Sequence, residues 1–249
     1  MSAPAGSLPS IATRLGVELR LTVRRAENVL AMLVIPVAVL VFFVWLGIPV
    51  SSAEPVVFLV PGVLALAIVA SGLVNLGIAT AYERYYGVLK RLGGAPLTRG
   101  QLVMAKLGAV LAFEAGQVAL LLAIAAGLLG WSPAGPVNPA LLVAAVLLGT
   151  AAFAGLGLLL AGTLRAEATL AVANGLFLAT LLLGGIVQPL GQLPGPPAAL
   201  AALLPGAALA DAFRVALGST AGDVTGPFAV LAAWAVALPV AAARTFRWE

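Results

Sequence analysis

Two stretches without a single charged residue, 28–53 and 55–81, follow one another near the start of this chain. Each is longer than the ~20 apolar residues with which a helix crosses a bilayer. Across all 249 residues only 9% are charged and the mean hydropathy is +1.14, whereas a soluble domain carries about 25% charged residues. No water-soluble fold hides that much apolar surface, so the surrounding medium must be lipid. The runs are continuously apolar and show no alternation of period two, which excludes a membrane β-barrel. Helices, which satisfy their own backbone groups in hydrocarbon, are what remains.

The expected fold is therefore an all-α integral membrane protein, one transmembrane domain over residues 1–249. Six spans can be drawn, at about 29–48, 56–80, 101–129, 140–164, 168–187 and 224–243. The first apolar run starts only after Glu27 and closes without a small-residue cleavage pattern, so span one is expected to be retained. Basic residues orient the bundle. Arg14, Arg20, Arg24 and Arg25 precede span one; Arg84, Lys90, Arg91, Arg99 and Lys106 lie around the junction of spans two and three; Arg165, Arg244 and Arg247 complete that side. Only Arg214 falls on the other. Both termini are expected in the cytoplasm.

Two segments are not simple spans. Residues 8–27 place Leu8, Ile11, Ala12, Leu15, Leu19, Val23 and Ala26 on one side of a helix and Arg14, Glu18, Arg20, Arg24 and Arg25 on the rest, as in an amphipathic helix lying at the membrane interface. The external connection 188–223 is too long for a tight turn and too apolar for a solvated loop. Its 14-residue apolar stretch 197–210, broken by Pro194, Pro196, Pro197 and Pro205, suits one or two short re-entrant helices.

Charge is concentrated in one place: 82–100 reads YERYYGVLKRLGGAPLTRG, with five charges in nineteen positions. The helix of span two is expected to run on to Leu92, where Gly93 and Gly94 offer a left-handed stop and Pro96 forbids continuation. Thr98 and Gln101 have capping-box spacing for the next helix. The result is an elbow carrying Arg84, Lys90, Arg91 and Arg99 beside apolar Val88, Leu89, Leu92 and Leu97. A stop-transfer turn would need the basic residues but not the apolar ones, so the elbow is expected to receive a cytoplasmic partner.

Cys and His are both absent, which removes disulfides, thiol nucleophiles, His-based triads and most zinc sites. No Gly-x-x-x-x-Gly-Lys-Ser/Thr phosphate loop occurs. The basic balance reflects topology rather than nucleic-acid binding. Inside the spans stand a few polar side chains: Asn75, Glu114, Gln117 and Asn174. A carboxylate at Glu114 is costly in hydrocarbon unless paired. It is either a proton relay, a contact in a translocation path, or a hydrogen-bond partner of Gln117 or another helix. Asn75 and Asn174 could serve as interhelical bonds or as path contacts. Asp211 and Arg214, three apart, can pair with each other.

The segment 82–117, YERYYGVLKRLGGAPLTRGQLVMAKLGAVLAFEAGQ, resembles the connection between spans two and three in permeases of type-two ATP-binding-cassette exporters. The similarity rests on Glu83-Arg84, then Gly-x-Leu-Lys-x-Leu at 87–92, the Gly/Pro elbow, Lys106, and Glu114 with Gln117. The six-span order, the N-terminal amphipathic helix and LLPGAALADAFR at 203–214 extend it over nearly the whole chain. The resemblance implies a non-enzymatic half-permease for a lipophilic or amphipathic compound such as a drug, lipid or secondary metabolite, in a bacterial inner membrane. It implies a second permease copy or paralogue and a separate ATPase subunit, which would hold ATP and magnesium; no cofactor is expected in this chain. Glu83, Arg84, Tyr86, Leu89, Lys90, Arg91, Leu92, Gly93, Gly94, Pro96, Leu97 and Thr98 would then couple to the ATPase. Asn75, Glu114, Gln117 and Asn174 are candidates for the translocation path. The rival reading is a proton-coupled carrier using Glu114, although the chain shows no internal repeat of the kind common in such carriers.

Because the chain lacks Cys, single cysteines report topology cleanly. Thr98→Cys should react with an impermeant thiol reagent only from the cytoplasmic side and Ser132→Cys only from outside. The same sidedness for both would refute the six-span arrangement.

Overall fold

The computed structural model describes residues 26–47, 54–88, 99–192, 200–220 and 222–245. The amphipathic segment before Ala26, the elbow residues 89–98 and residues 193–199 lie outside the described residues. The longer helices among the described residues are α1 Ala26–Trp45, α2 Pro55–Tyr85, α3 Arg99–Leu128, α4 Pro139–Thr163, α5 Ala166–Leu183, α6 Pro205–Ala216 and α7 Thr225–Thr245, with a short 3-10 turn at Leu190–Gln192. No strand occurs among the described residues. Helices α2, α3, α4, α5 and α7 are each long and apolar enough to cross a membrane. Ala26 and Glu27, read from sequence as the end of the amphipathic segment, belong to α1.

Helix α2 is the axis of the bundle. It is apolar on every side, as a helix buried among other helices must be, and Leu59–Val69 are all buried. α1, α3, α4, α5 and α6 all pack on it. Helix α5 is peripheral: only 17% of its apolar window is buried, against 78% for α2. Pro55 opens α2 at the position where a missing N–H costs nothing. At the other end α2 stops at Tyr85 rather than at Leu92. The cause is Gly87, which takes the left-handed φ of 67° and turns the chain two residues past the last helical one.

Midway, Ala70–Leu76 winds as a π-helix. The same stretch meets α4 in a close backbone approach. A Cβ on Gly157 of α4 would lie 2.6 Å from the Gly72 carbonyl oxygen, and one on Gly77 would lie 2.9 Å from Gly157 Cα. Hydrocarbon supplies no hydrophobic drive between helices, so small residues that admit close packing take over that task. Gly155 does the same against the Pro239 ring of α7, at 2.7 Å. Gly116 of α3, by contrast, faces open space.

The 12-residue α6 is too short to span. It lies against the first half of α2 and against α4 and α7, with Ala207, Ala208, Leu209, Ala210, Ala212 and Phe213 buried. The Leu209 side chain fills the notch over Gly149 of α4, beside Ile68. Its Arg214 is also buried, donating to the Gly185 carbonyl and to Asp211 Oδ1 at 2.6 Å, with its guanidinium 4.3 Å above the Phe58 ring. The sequence reading anticipated the pair with Asp211; it missed the reach to Gly185 and Phe58, because the chain folds back only in three dimensions. Asp223 then caps α7, accepting from the Thr225 and Gly226 N–H groups at 2.9 Å. Those two donors hold its carboxyl below the usual carboxylate range.

Gly157→Val should be the most disruptive change in this seam, costing about 1–3 kcal/mol through forced separation of α2 and α4. Gly116→Ala should leave thermal stability in detergent unchanged. Equal melting temperatures for the two variants would show that the seam is not tight.

Candidate functional site

A groove of about 600 Å³ opens between α1, α2 and α5, a volume within the range of about 300–1,000 Å³ typical of small-molecule sites. Its walls are mostly apolar: Met32, Ile35 and Pro36 from α1, Ala70, Val74, Ile78 and Ala79 from α2, Phe177 from α5. Two amides interrupt them. Asn75 enters from the π-helical part of α2 and Asn174 from α5. Asn174 donates to its own helix at Leu170 O, 2.8 Å. Asn75 is half-buried and has no hydrogen-bond partner among the described residues. Asn75 is thus a partly exposed amide on a mostly apolar wall of the groove.

Tyr82, Glu83, Tyr86 and Val88 line the end of the groove next to the elbow. Tyr82 and Tyr86 stack with centroids 6.1 Å apart, and Tyr85 meets Tyr86 edge-on at 5.1 Å, a cluster of the kind found where a helix leaves hydrocarbon. Glu83 Oε2 pairs with Lys106 Nζ of α3 at 2.7 Å. Lys106 is only 5% exposed and Glu83 18%, so solvent screens this bond far less than a surface pair. Arg84 turns the other way and donates to Leu164 O, a terminal carbonyl of α4. A cation at a helix C-terminus satisfies an orphan acceptor and the negative end of the dipole together. The Glu-Arg pair thus fastens α2 to α3 with one residue and to α4 with the next, at the foot of both arms of the elbow. Sequence spacing singled out both residues; the α4 carbonyl could not be read from it.

Glu114 and Gln117 do not line the groove. Glu114, 0% exposed, accepts from Thr150 Oγ of α4. Gln117 turns toward α1 and α2: its Nε2 donates to Met32 O at 2.6 Å and its Oε1 accepts from Ser71 Oγ at 3.1 Å. Glu114 is therefore bonded to a neighbouring helix and not to Gln117. No group of His, Cys, Asp or Glu suited to a metal ion occurs among the described residues. Leu89, Lys90, Arg91, Leu92, Gly93, Gly94, Pro96, Leu97 and Thr98 lie outside the described residues.

The described residues form an apolar helical bundle with a side groove, and five of its helices are long and apolar enough to cross a membrane. The family model for the ABC-2 type transporter matches residues 13–217, most of the chain, and the protein belongs to that family as a transmembrane permease. No curated protein matches the chain.

Lys106→Met would leave the Glu83 carboxylate unpaired in a poorly solvated place, a loss of about 3–5 kcal/mol for a fully buried pair and less at this partial exposure. The exchange Glu83→Lys with Lys106→Glu should recover most of the loss in thermal stability. A double variant no more stable than Lys106→Met would show that the contact is incidental.

Proposed function

We propose that the chain is one half of a dimeric exporter, six spans with both termini in the cytoplasm of a bacterial inner membrane, driven by a separate ATPase that docks on the 82–100 elbow. The observation that carries this reading is a mostly apolar groove of about 600 Å³ interrupted by the amides Asn75 and Asn174, in a chain of this family. α1 contributes the remaining span: at 20 residues it has the required length. α6 is the re-entrant element on the external side. The apolar lining with two amides suits a lipophilic or amphipathic compound better than a polysaccharide or an ion, because a highly hydroxylated or charged cargo would find few partners there. Exposed Leu170 and Leu178 flank exposed Asn174 one turn to either side on α5, and a second copy or paralogue over this face would enclose the groove. Outward direction follows from the resemblance to exporters. A proton carrier built on Glu114 is not favoured, since that residue bonds α4 instead of facing the groove.

In this reading Lys106–Glu83 and Arg84–Leu164 transmit elbow motion into α2, α3 and α4, because both arms of the elbow enter helices pinned there. The residues 86–98 dock by inserting apolar anchors, with charges at the rim. Buried anchors carry most interface energy, about 2 kcal/mol or more at a hot spot, so Leu92→Asp should abolish capture of the partner ATPase and its cargo-stimulated ATP hydrolysis. Lys90→Ala should weaken capture modestly, and less as salt rises. Co-purification at two salt concentrations, with melting of the isolated permease as control, tests this. Full ATPase capture by a well-folded Leu92→Asp variant would overturn the docking.

A further inference from the structure

Helix α1 contains Pro36, which has no N–H to offer Met32 O four residues back. That carbonyl is nonetheless satisfied, by Gln117 Nε2 of α3 at 2.6 Å. Through its other amide atom the same side chain accepts the Ser71 hydroxyl, 3.1 Å away, inside the π-helical segment Ala70–Leu76 of α2. Proline breaks and π-turns are the two commonest places for a helix to bend. Here both are wall segments of one groove: Met32, Pro36, Ala70, Val74 and Asn75 line it. Gln117 stands behind that wall, 1% exposed.

We propose that Gln117 is a positioning residue that ties the proline break of α1 to the π-turn of α2, so that the two walls of the groove bend as one unit. The residue type follows from the partners. A backbone carbonyl only accepts, so the atom facing Met32 must be a donor. The atom facing Ser71 can then accept the hydroxyl, and a primary amide supplies both roles at neutral charge in a dry site. A carboxylate could not donate to Met32 O, and Leu could do neither. Glu114, one turn earlier on α3, bonds Thr150 of α4 away from the groove and takes no part. The consequence for cargo rests on the groove being the transport path. The tie itself does not, and it can be tested without cargo or ATPase.

Spin labels at Val34→Cys on α1 and Leu178→Cys on α5, both exposed, report the width of the groove in an otherwise Cys-free chain. The full-length permease is placed in lipid nanodiscs with excess unlabelled chain, so that distances within one subunit dominate. The parent should give one narrow distance distribution. Gln117→Leu should broaden and shift it, while Thr150→Val, which cuts the neighbouring polar contact of the same helix, should leave it unchanged. Pro36→Ala restores an N–H for Met32 O. In that background Gln117→Leu should therefore have a clearly smaller effect, a non-additivity that general destabilisation does not produce. An unchanged distribution in Gln117→Leu, an equal change in Thr150→Val, or strict additivity with Pro36→Ala would each overturn the proposal. Should Gln117→Leu fail to insert, Ser71→Ala removes only the α2 bond. A shift in the same direction then supports the tie, and no shift overturns it. These readouts are independent of ATPase capture by the elbow, so failure of the tie and failure of the exporter reading can be told apart.

Discussion

Hydrocarbon offers no hydrogen-bond partners, so a polar group placed in it must be answered by the protein itself. That constraint organises the interior of this bundle. Gln117 answers the carbonyl that Pro36 leaves open, Glu114 answers Thr150, and Arg84 answers the end of α4. In each case the bond joins two helices. The polar residues act as registers: they do little to drive association, but they determine which turn of one helix faces which turn of the next. The driving contact is the close seam of Gly72, Gly77 and Gly157 between α2 and α4, where the absence of side chains lets two backbones meet.

Asn75 lies in the π-helical segment of α2, on a mostly apolar wall of the groove, and meets no partner among the described residues. Within the π-turn Ser71 bonds Gln117, while Asn75, four residues on, lines the groove. A single irregularity in α2 thus serves both the packing behind the wall and the chemistry in front of it. At the elbow end, Tyr82, Glu83 and Tyr86 line the same groove, beside the tyrosine cluster and the Glu83–Lys106 pair.

Composition and the uncharged runs were enough to determine the membrane setting and the all-helical class, and five described helices are long and apolar enough to cross a membrane. These depend on local hydropathy and backbone self-satisfaction, which are properties of a segment alone. The resemblance over 82–117 led to the family, and Glu83, Arg84 and Lys106 stood out there as residues to watch. The end of α2 was misread, because Gly87 can turn the chain as readily as Gly93 and Gly94, and glycine's freedom does not say which glycine will be used.

Only the tertiary structure decided the partners. That Glu114 bonds Thr150 and not Gln117, that Gln117 repairs the proline break of α1, and that Arg214 reaches Gly185 all follow from which helix faces lie together. Nothing in an apolar run encodes its rotation about its own axis: a uniformly hydrophobic helix has no preferred face, so its orientation is chosen by small residues and a few polar atoms on other helices. The π-turn was invisible in the sequence, since ASGLVNL reads as an ordinary apolar segment. Sequence determined that this chain lives in lipid as helices; the rotation and register of those helices, settled by contacts distant in the chain, made the groove.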